Sequence, residues 1–312
     1  MTDIFIHQPD IYECEQFLPI DALARSERFL GELEVLKDLG YREIGGIKKI
    51  SQVDAAISVG KAHLARLNSP SVGRVIYCTF WNDEIWTEFH CAKIHYALGL
   101  LSDVSVTNLR VNGATGIFMA IELAQAYVTA NPSRGVLVIA ADKIDARFVR
   151  RKFSGGLFGD GAASAFLSTQ PVDHNGLWVS SAPQFEIDGR FYNLDTYEED
   201  AAALHDASNQ LQTRLIDGLK PNPLRSGGIA FLSQPGARFS QIESQSAFKH
   251  FTGDWSRRGY LPASGLLHVI ADFLGDEEQT ADSVVLGEAS VGLQYAGVIG
   301  SLDRDQLTAV RT

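Results

Sequence analysis

Five residues in the middle of the chain, Asn112-Gly113-Ala114-Thr115-Gly116, open a helical pattern that runs to Ala130. A helix start carries unpaired N–H groups and a partial positive charge, an environment that stabilises an anion. The hydroxyl available there is Thr115. It reads as a replacement nucleophile or as an N-cap or first-turn residue. The second reading carries more weight, because a threonine nucleophile needs an adjacent base. No thiol competes for the role: the chain has three cysteines, and none follows Cys91. Cys91 shares a helical pattern with His95 and Leu98 and is expected to be a small buried hydrophobe. His268, on a second helical run from Leu266 to Phe273, reads as a base or, with more weight, as a satisfied core histidine. Glu88, His90 and His95 suggest a metal at first sight. The histidine spacing of i,i+5, rather than i,i+4, does not put two ligands on one helical face, so no metal and no cofactor are expected. Gly159-Asp160-Gly161 reads as a turn whose glycines allow positive φ.

The elements around these residues read as α/β. Arg74 to Thr79, Val136 to Ala141, Ala163 to Ser168 and Ser283 to Leu286 are short apolar runs, suited to strands covered on both faces. The helix from Ala114 to Ala130 is apolar nearly all round and is expected to be buried; Asn131-Pro132 stops it. One order recurs: glycine loop, helix, turn, strand, small-residue bend, strand. It runs through Asn112–Ser168 and again from Pro262-Ala263-Ser264-Gly265 to the C-terminal glycines. Two duplicated halves are therefore expected, 1–170 and 171–312, joined near Gln170 to Gly176.

Composition narrows the partners. The net charge is −11 and the pI about 5.2. A nucleic-acid backbone would repel such a surface. The short basic clusters, Lys48-Lys49 and Arg150-Arg151-Lys152, read as solvated turns, although the second could attract one anionic group of a substrate. No signal peptide and no run long enough to span a bilayer is apparent, so a cytoplasmic protein without membrane contact is expected.

Asn112-Gly113-Ala114-Thr115-Gly116, the VLVIAAD strand and Gly156-Leu157-Phe158-Gly159-Asp160-Gly161-Ala162 together resemble the thiolase superfamily, and within it the ketoacyl-acyl-carrier-protein synthase III type. Gly46-Ile47-Lys48 and Ala97-Leu98-Gly99-Leu100 are similar to two further family segments in the same order. The resemblance implies a thiolase fold, five layers αβαβα, and a dimer in which two sheets join. It also implies a cysteine at a helix N-terminus that accepts the acyl group, supported by a histidine and an asparagine.

Residue by residue, the resemblance puts Ala114 in the place of that cysteine, Ser233 in the place of the histidine and Tyr260 in the place of the asparagine. Gly40 and Ile44 stand where the family has a tryptophan and an arginine that clamp the coenzyme A nucleotide. The C-terminal glycine run, a source of oxyanion donors, is broken as Ser290-Val291-Gly292-Leu293. Loss of several catalytic members together argues against conventional cysteine-dependent condensation. Thr115 and His268 are the possible substitutes. Tyr260 reads equally as a proton donor to a thioester carbonyl and as a plug in the vacated cavity. Phe80, Trp86 and Gly292 are expected to line the substrate space.

Three functions follow from this pattern. The first is a non-condensing or catalytically silent subunit. It would form a homodimer, or a heterodimer with a paralogous condensing enzyme, or bind an acyl or peptidyl carrier protein or acyl-CoA. The second is a diverged acyltransferase that moves an acyl group from a thioester directly to an amine or alcohol. The third is a small-molecule binding protein, which a tunnel filled by Phe80, Trp81 or Trp86 would eliminate.

Overall fold

The computed structural model describes residues 2–27, 30, 33–80, 89–110, 115–144, 157–173, 175–179, 181–189, 201–219, 229–233, 248–278, 280–290 and 293–302. The first half supplies β1 (Ile4–His7), β2 (Asp10–Ile11), β3 (Gln16–Pro19), α1 (Ile20–Ser26), α2 (Leu33–Asp38), β4 (Glu43–Gly46), α3 (Gln52–Arg66), β5 (Val72–Thr79), α4 (His90–Ala97), β6 (Ser105–Leu109), α5 (Gly116–Ala130), β7 (Gly135–Asp142) and β8 (Gly161–Ser168). The second supplies β9 (Gly176–Val179), β10 (Gln184–Ile187), α6 (Ala201–Leu219), β11 (Ile229–Leu232), β12 (Phe248–Phe251), α7 (Trp255–Arg258), α8 (Gly265–Gly275), β13 (Ser283–Ser290) and β14 (Gln294–Ser301). The four expected strands are β5, β7, β8 and β13, each longer than its apolar core suggested.

The sheet runs β6-β5-β7-β8-β1 and then β9-β14-β13-β11-β12. In each set the outer three strands are parallel and the next two steps are antiparallel. The sets meet where β1 and β9 pair antiparallel, Ile4 opposite Val179 and His7 opposite Gly176.

Side-chain alternation sorts the strands into layers. Val136, Val138 and Ala140 of β7 join one core cluster with Ile117 and Ile121 of α5, Leu266 and Ile270 of α8, and Val284 and Leu286 of β13. The opposite face of β7, Leu137, Ile139 and Ala141, packs with Val53 and Ala56 of α3 and Ile94 of α4. Val285 of β13 and Tyr295 and Ile299 of β14 pack on Leu211 and Leu215 of α6. Five layers result: α3 and α4, one strand set, α5 with α8, the other strand set, and α6. The near-continuous apolar strands are those covered by helices on both sides.

Cys91 departs from expectation. It is half-buried on α4 rather than a core residue, whereas Cys78 on β5 is buried. Among the described residues no helix is long and apolar enough to cross a membrane, and no group of His, Cys, Asp and Glu is placed to hold a metal ion.

Candidate active site

The floor of the site is the β13–β14 hairpin. Its register is regular to the end: Leu286 pairs Val298, Glu288 pairs Ala296 and Ser290 pairs Gln294. Val284, Leu286, Ala296 and Val298 face the central helical layer. With a period of two, Glu288 and Gln294 face it as well.

Two of the expected residues come to this hairpin. Thr115 is the N-cap of α5, but its side chain makes no capping bond. It is buried, and its Oγ1 lies 3.5 Å from Gln294 Oε1, the long limit of a hydrogen bond. Tyr260 is also buried, and its hydroxyl donates to the carbonyl of Ala289 at 3.2 Å. Its backbone is clamped by the glycine turn: Tyr260 N donates to Leu157 O and Gly159 N donates to Tyr260 O. Gly159 is required there, because a Cβ would lie 1.8 Å from the carbonyl oxygen of Arg258. The Tyr260 ring packs on Phe158 at 5.6 Å, and Phe80 stacks on the same Phe158 at 6.1 Å. This aromatic cluster, with Ile144, walls one side of the site. Burial holds the Tyr260 phenol well above its ordinary range, and the carboxylates of Glu288 and Asp142 add to the shift.

Asp142 ends β7 and serves α8. Its carboxylate accepts from Ala263 N, from Ser264 N and from Ser264 Oγ, the last at 2.7 Å. Burial raises its pKa to about 7 against the pull of those donors. Asp160, in the Phe-Gly-Asp-Gly turn, is likewise buried. It accepts from Ile47 N and Ile144 N, both at 2.9 Å. It pins the loop after β4 and the loop after β7 to one point, a structural role as expected. Neither Gly159 nor Gly161 takes the positive φ expected of them; close packing rather than φ calls for glycine there.

Two further expected residues are turned elsewhere. Ser233 continues the β11 ladder, its N–H donating to Phe251 O. Its hydroxyl pairs with His250 Nε2 at 2.7 Å, and the His250 ring packs on Phe231, which faces the outer α6 layer. His268 is buried on α8 with Nδ1 3.1 Å from Ser264 O. Burial, helped by the Arg258 guanidinium, pushes its pKa down to about 4. It lines a shallow pocket with Trp255, Arg258 and Asp272, which matches the core-histidine reading better than that of a base at the hairpin. Ala114, Trp86 and Gly292 lie outside the described residues. Leu293 adopts φ +49°, a conformation glycine favours, and offsets the cost by burying its side chain in the α6 cluster.

Glu288 was not among the residues singled out from the sequence. It is fully buried on the face that holds Val284 and Leu286. A signal was present: one acid inside Ser283–Ser290, an otherwise apolar and small-residue strand, at the same alternation as two core positions.

At the strip that carries Gly40 and Ile44, Ile44 is fully buried with Leu157 and Tyr41. Gly40 has φ +90°, and the Trp255 ring lies 2.9 Å from where its Cβ would be. Tyr41 meets that ring edge-on at 5.0 Å. Arg257 bonds Glu43 at 2.5 Å and lies over the ring of Phe17.

Comparison with known proteins agrees with this architecture. The model of 3-oxoacyl-[acyl-carrier-protein] synthase III matches residues 111–183. The ketoacyl-acyl-carrier-protein synthase III of Campylobacter curvus (strain 525.92) is 26% identical over 144 residues, 46% of this chain and 38% of that protein. The chain thus matches under half the length of this curated relative. Among solved structures, the 3-oxoacyl-(acyl carrier protein) synthase III of Pseudomonas aeruginosa PAO1 superposes with a TM-score of 0.73 at 17% identity, over 96% of this chain and 98% of that one. OleA of Xanthomonas campestris gives 0.76 at 11% identity, with coverage of 96% and 98%. ChlB3, described as an acyltransferase, gives 0.74 at 15% identity, with coverage of 96% and 97%. The chain has a thiolase-like α/β fold, and residues 111–183 carry its likeness to 3-oxoacyl-[acyl-carrier-protein] synthase III.

Proposed function

We propose that this chain is an acyltransferase that works without an acyl-enzyme, moving an acyl group from a thioester directly to an amine or alcohol. The observation that carries the reading is the polar content of a buried site. Thr115, Gln294, Glu288 and Tyr260 lie at one hairpin inside a layer that is otherwise apolar. Burying such groups, even hydrogen-bonded ones, brings little net stability, and a silent scaffold gains as much from well-packed apolar side chains. The start of α5 beside Thr115 supplies N–H groups for the oxygen that becomes negative during transfer.

The donor is a thioester borne on a carrier protein rather than on coenzyme A. The strip where the resemblance expects a nucleotide clamp supports this, because Ile44 is sealed in the core and Trp255 covers Gly40. A dimer fits the same reading. β6 ends the sheet order. Beside it Phe89, Tyr96 and Leu101, on α4 and its flanks, are 85%, 88% and 70% exposed.

The test is intact-mass analysis together with thiol release. The purified protein is incubated with an acyl-carrier thioester, with and without a mixture of amines and alcohols. Acceptor-dependent thiol release with the protein mass unchanged is expected. A stable acyl adduct on the protein refutes direct transfer, and no release under any condition favours the silent-subunit reading.

A further inference from the structure

We propose that Glu288 is the general base of this site, taking the proton from the acceptor amine or alcohol as it attacks the thioester. The inference rests on the acyl-transfer reading above.

Three observations place the carboxylate. Glu288 pairs Ala296 in register, and Ala296 belongs to the central core cluster, so the side chain points into the layer that holds α5. Gln294 is its diagonal neighbour across the hairpin and carries the contact to Thr115 at the start of α5. Tyr260, bonded to the next residue, Ala289, feels the negative charge of Glu288 more than that of any other acid. The Glu288 carboxylate accepts from Ala289 N at 3.2 Å and shares the hairpin face of Gln294, one residue from the carbonyl that holds the phenol.

Its burial argues for chemistry. The same face of β13 carries Val284 and Leu286, and an apolar residue at position 288 would continue that pattern at lower cost. Ser233 and His268, the other candidate proton acceptors, are turned to His250 and to the α7–α8 pocket.

The step balances without a co-reactant. The acceptor oxygen or nitrogen forms a bond to the thioester carbonyl carbon, and its proton passes to the Glu288 carboxylate. The C–S bond then breaks, and the leaving sulfur takes that proton from Glu288. An ester or amide and a free thiol result, and the carboxylate is regenerated.

The probe reaction uses octanoyl-N-acetylcysteamine as donor and ethanolamine, which carries both an amine and a hydroxyl, as acceptor. Glu288→Gln keeps the shape and removes the base. It is expected to lower the rate of acceptor-dependent thiol release by about 100-fold or more. It is also expected to abolish the rise of rate with pH seen in the wild type, while thermal melting stays unchanged or rises. Glu288→Ala is expected to regain part of its rate when formate is added, because the small carboxylate enters the vacated space. Wild-type activity with an unaltered rate and pH profile in Glu288→Gln overturns the base assignment and leaves the transfer reading standing. A wild-type protein that releases no thiol overturns the reading itself.

Discussion

The indole of Trp255, in the second half, fills the space that a side chain on Gly40, in the first half, would need. Gly40 also sits at φ +90°, which costs any other residue on the order of 1–2 kcal/mol. Gly40→Ala is therefore expected to lose at least that much stability in urea denaturation. Combining it with Trp255→Ala should recover the part due to the clash but not the part due to the backbone. Strict additivity of the two losses would show that the contact carries no energy.

The hydroxyl of Thr115 is turned to Gln294, whose amide oxygen can accept its hydrogen bond but is too weakly basic to take its proton. Thr115→Ala is expected to retain acyl transfer within about 10-fold. A loss of about 1,000-fold or more, comparable to removal of a catalytic nucleophile, would reverse this assignment.

Acid should loosen the protein through His268. Its pKa falls from an ordinary 6.5 to about 4 in the fold, chiefly through burial. The unfolded chain therefore takes up a proton first. The stability contribution is full above pH 6.5 and is lost as pH falls toward 4, to the extent of about 3 kcal/mol. Asp142 acts in the opposite sense. Its raised pKa of about 7 gives stability that is full below its ordinary 3.8 and is lost as pH rises through 7. The informative measurement is the difference in unfolding free energy between the wild type and His268→Gln across pH 4 to 7. That difference should shrink on acidification, and a constant difference would exclude the histidine as the titrating group.

At the exposed edge, replacing both Tyr96 and Leu101 with aspartate is expected to convert a dimer to a monomer in sedimentation velocity, with the circular dichroism spectrum unchanged. These two residues are 88% and 70% exposed in the single chain. A wild type that sediments as a monomer at micromolar concentration would remove the dimer from the proposal.

The sequence was legible wherever structure is local. Apolar runs became β5, β7, β8 and β13, and the Asn131-Pro132 stop ended α5 at Ala130. The recurring order of loop, helix and strand became two strand sets of identical connection. The site was less legible because its contacts are long-range. Nothing near Gly40 announces Trp255, and nothing near Ser233 announces that its hydroxyl would turn to His250 rather than inward. Glu288 was readable in principle from strand alternation, but glycine-run geometry drew attention to its neighbours instead.

The repeat brings the start of α5 and the start of α8 into one interior, each with a partial positive end. At α8 the cradle is occupied from within, because Asp142 reaches across from β7 and sits on Ala263 and Ser264. Symmetry supplied twin anion seats, and the molecule has wired one shut with its own carboxylate. On the proposed function, the α5 end is the one left for a guest's negative oxygen, so a polarity absent from the repeated architecture comes from a single acidic side chain.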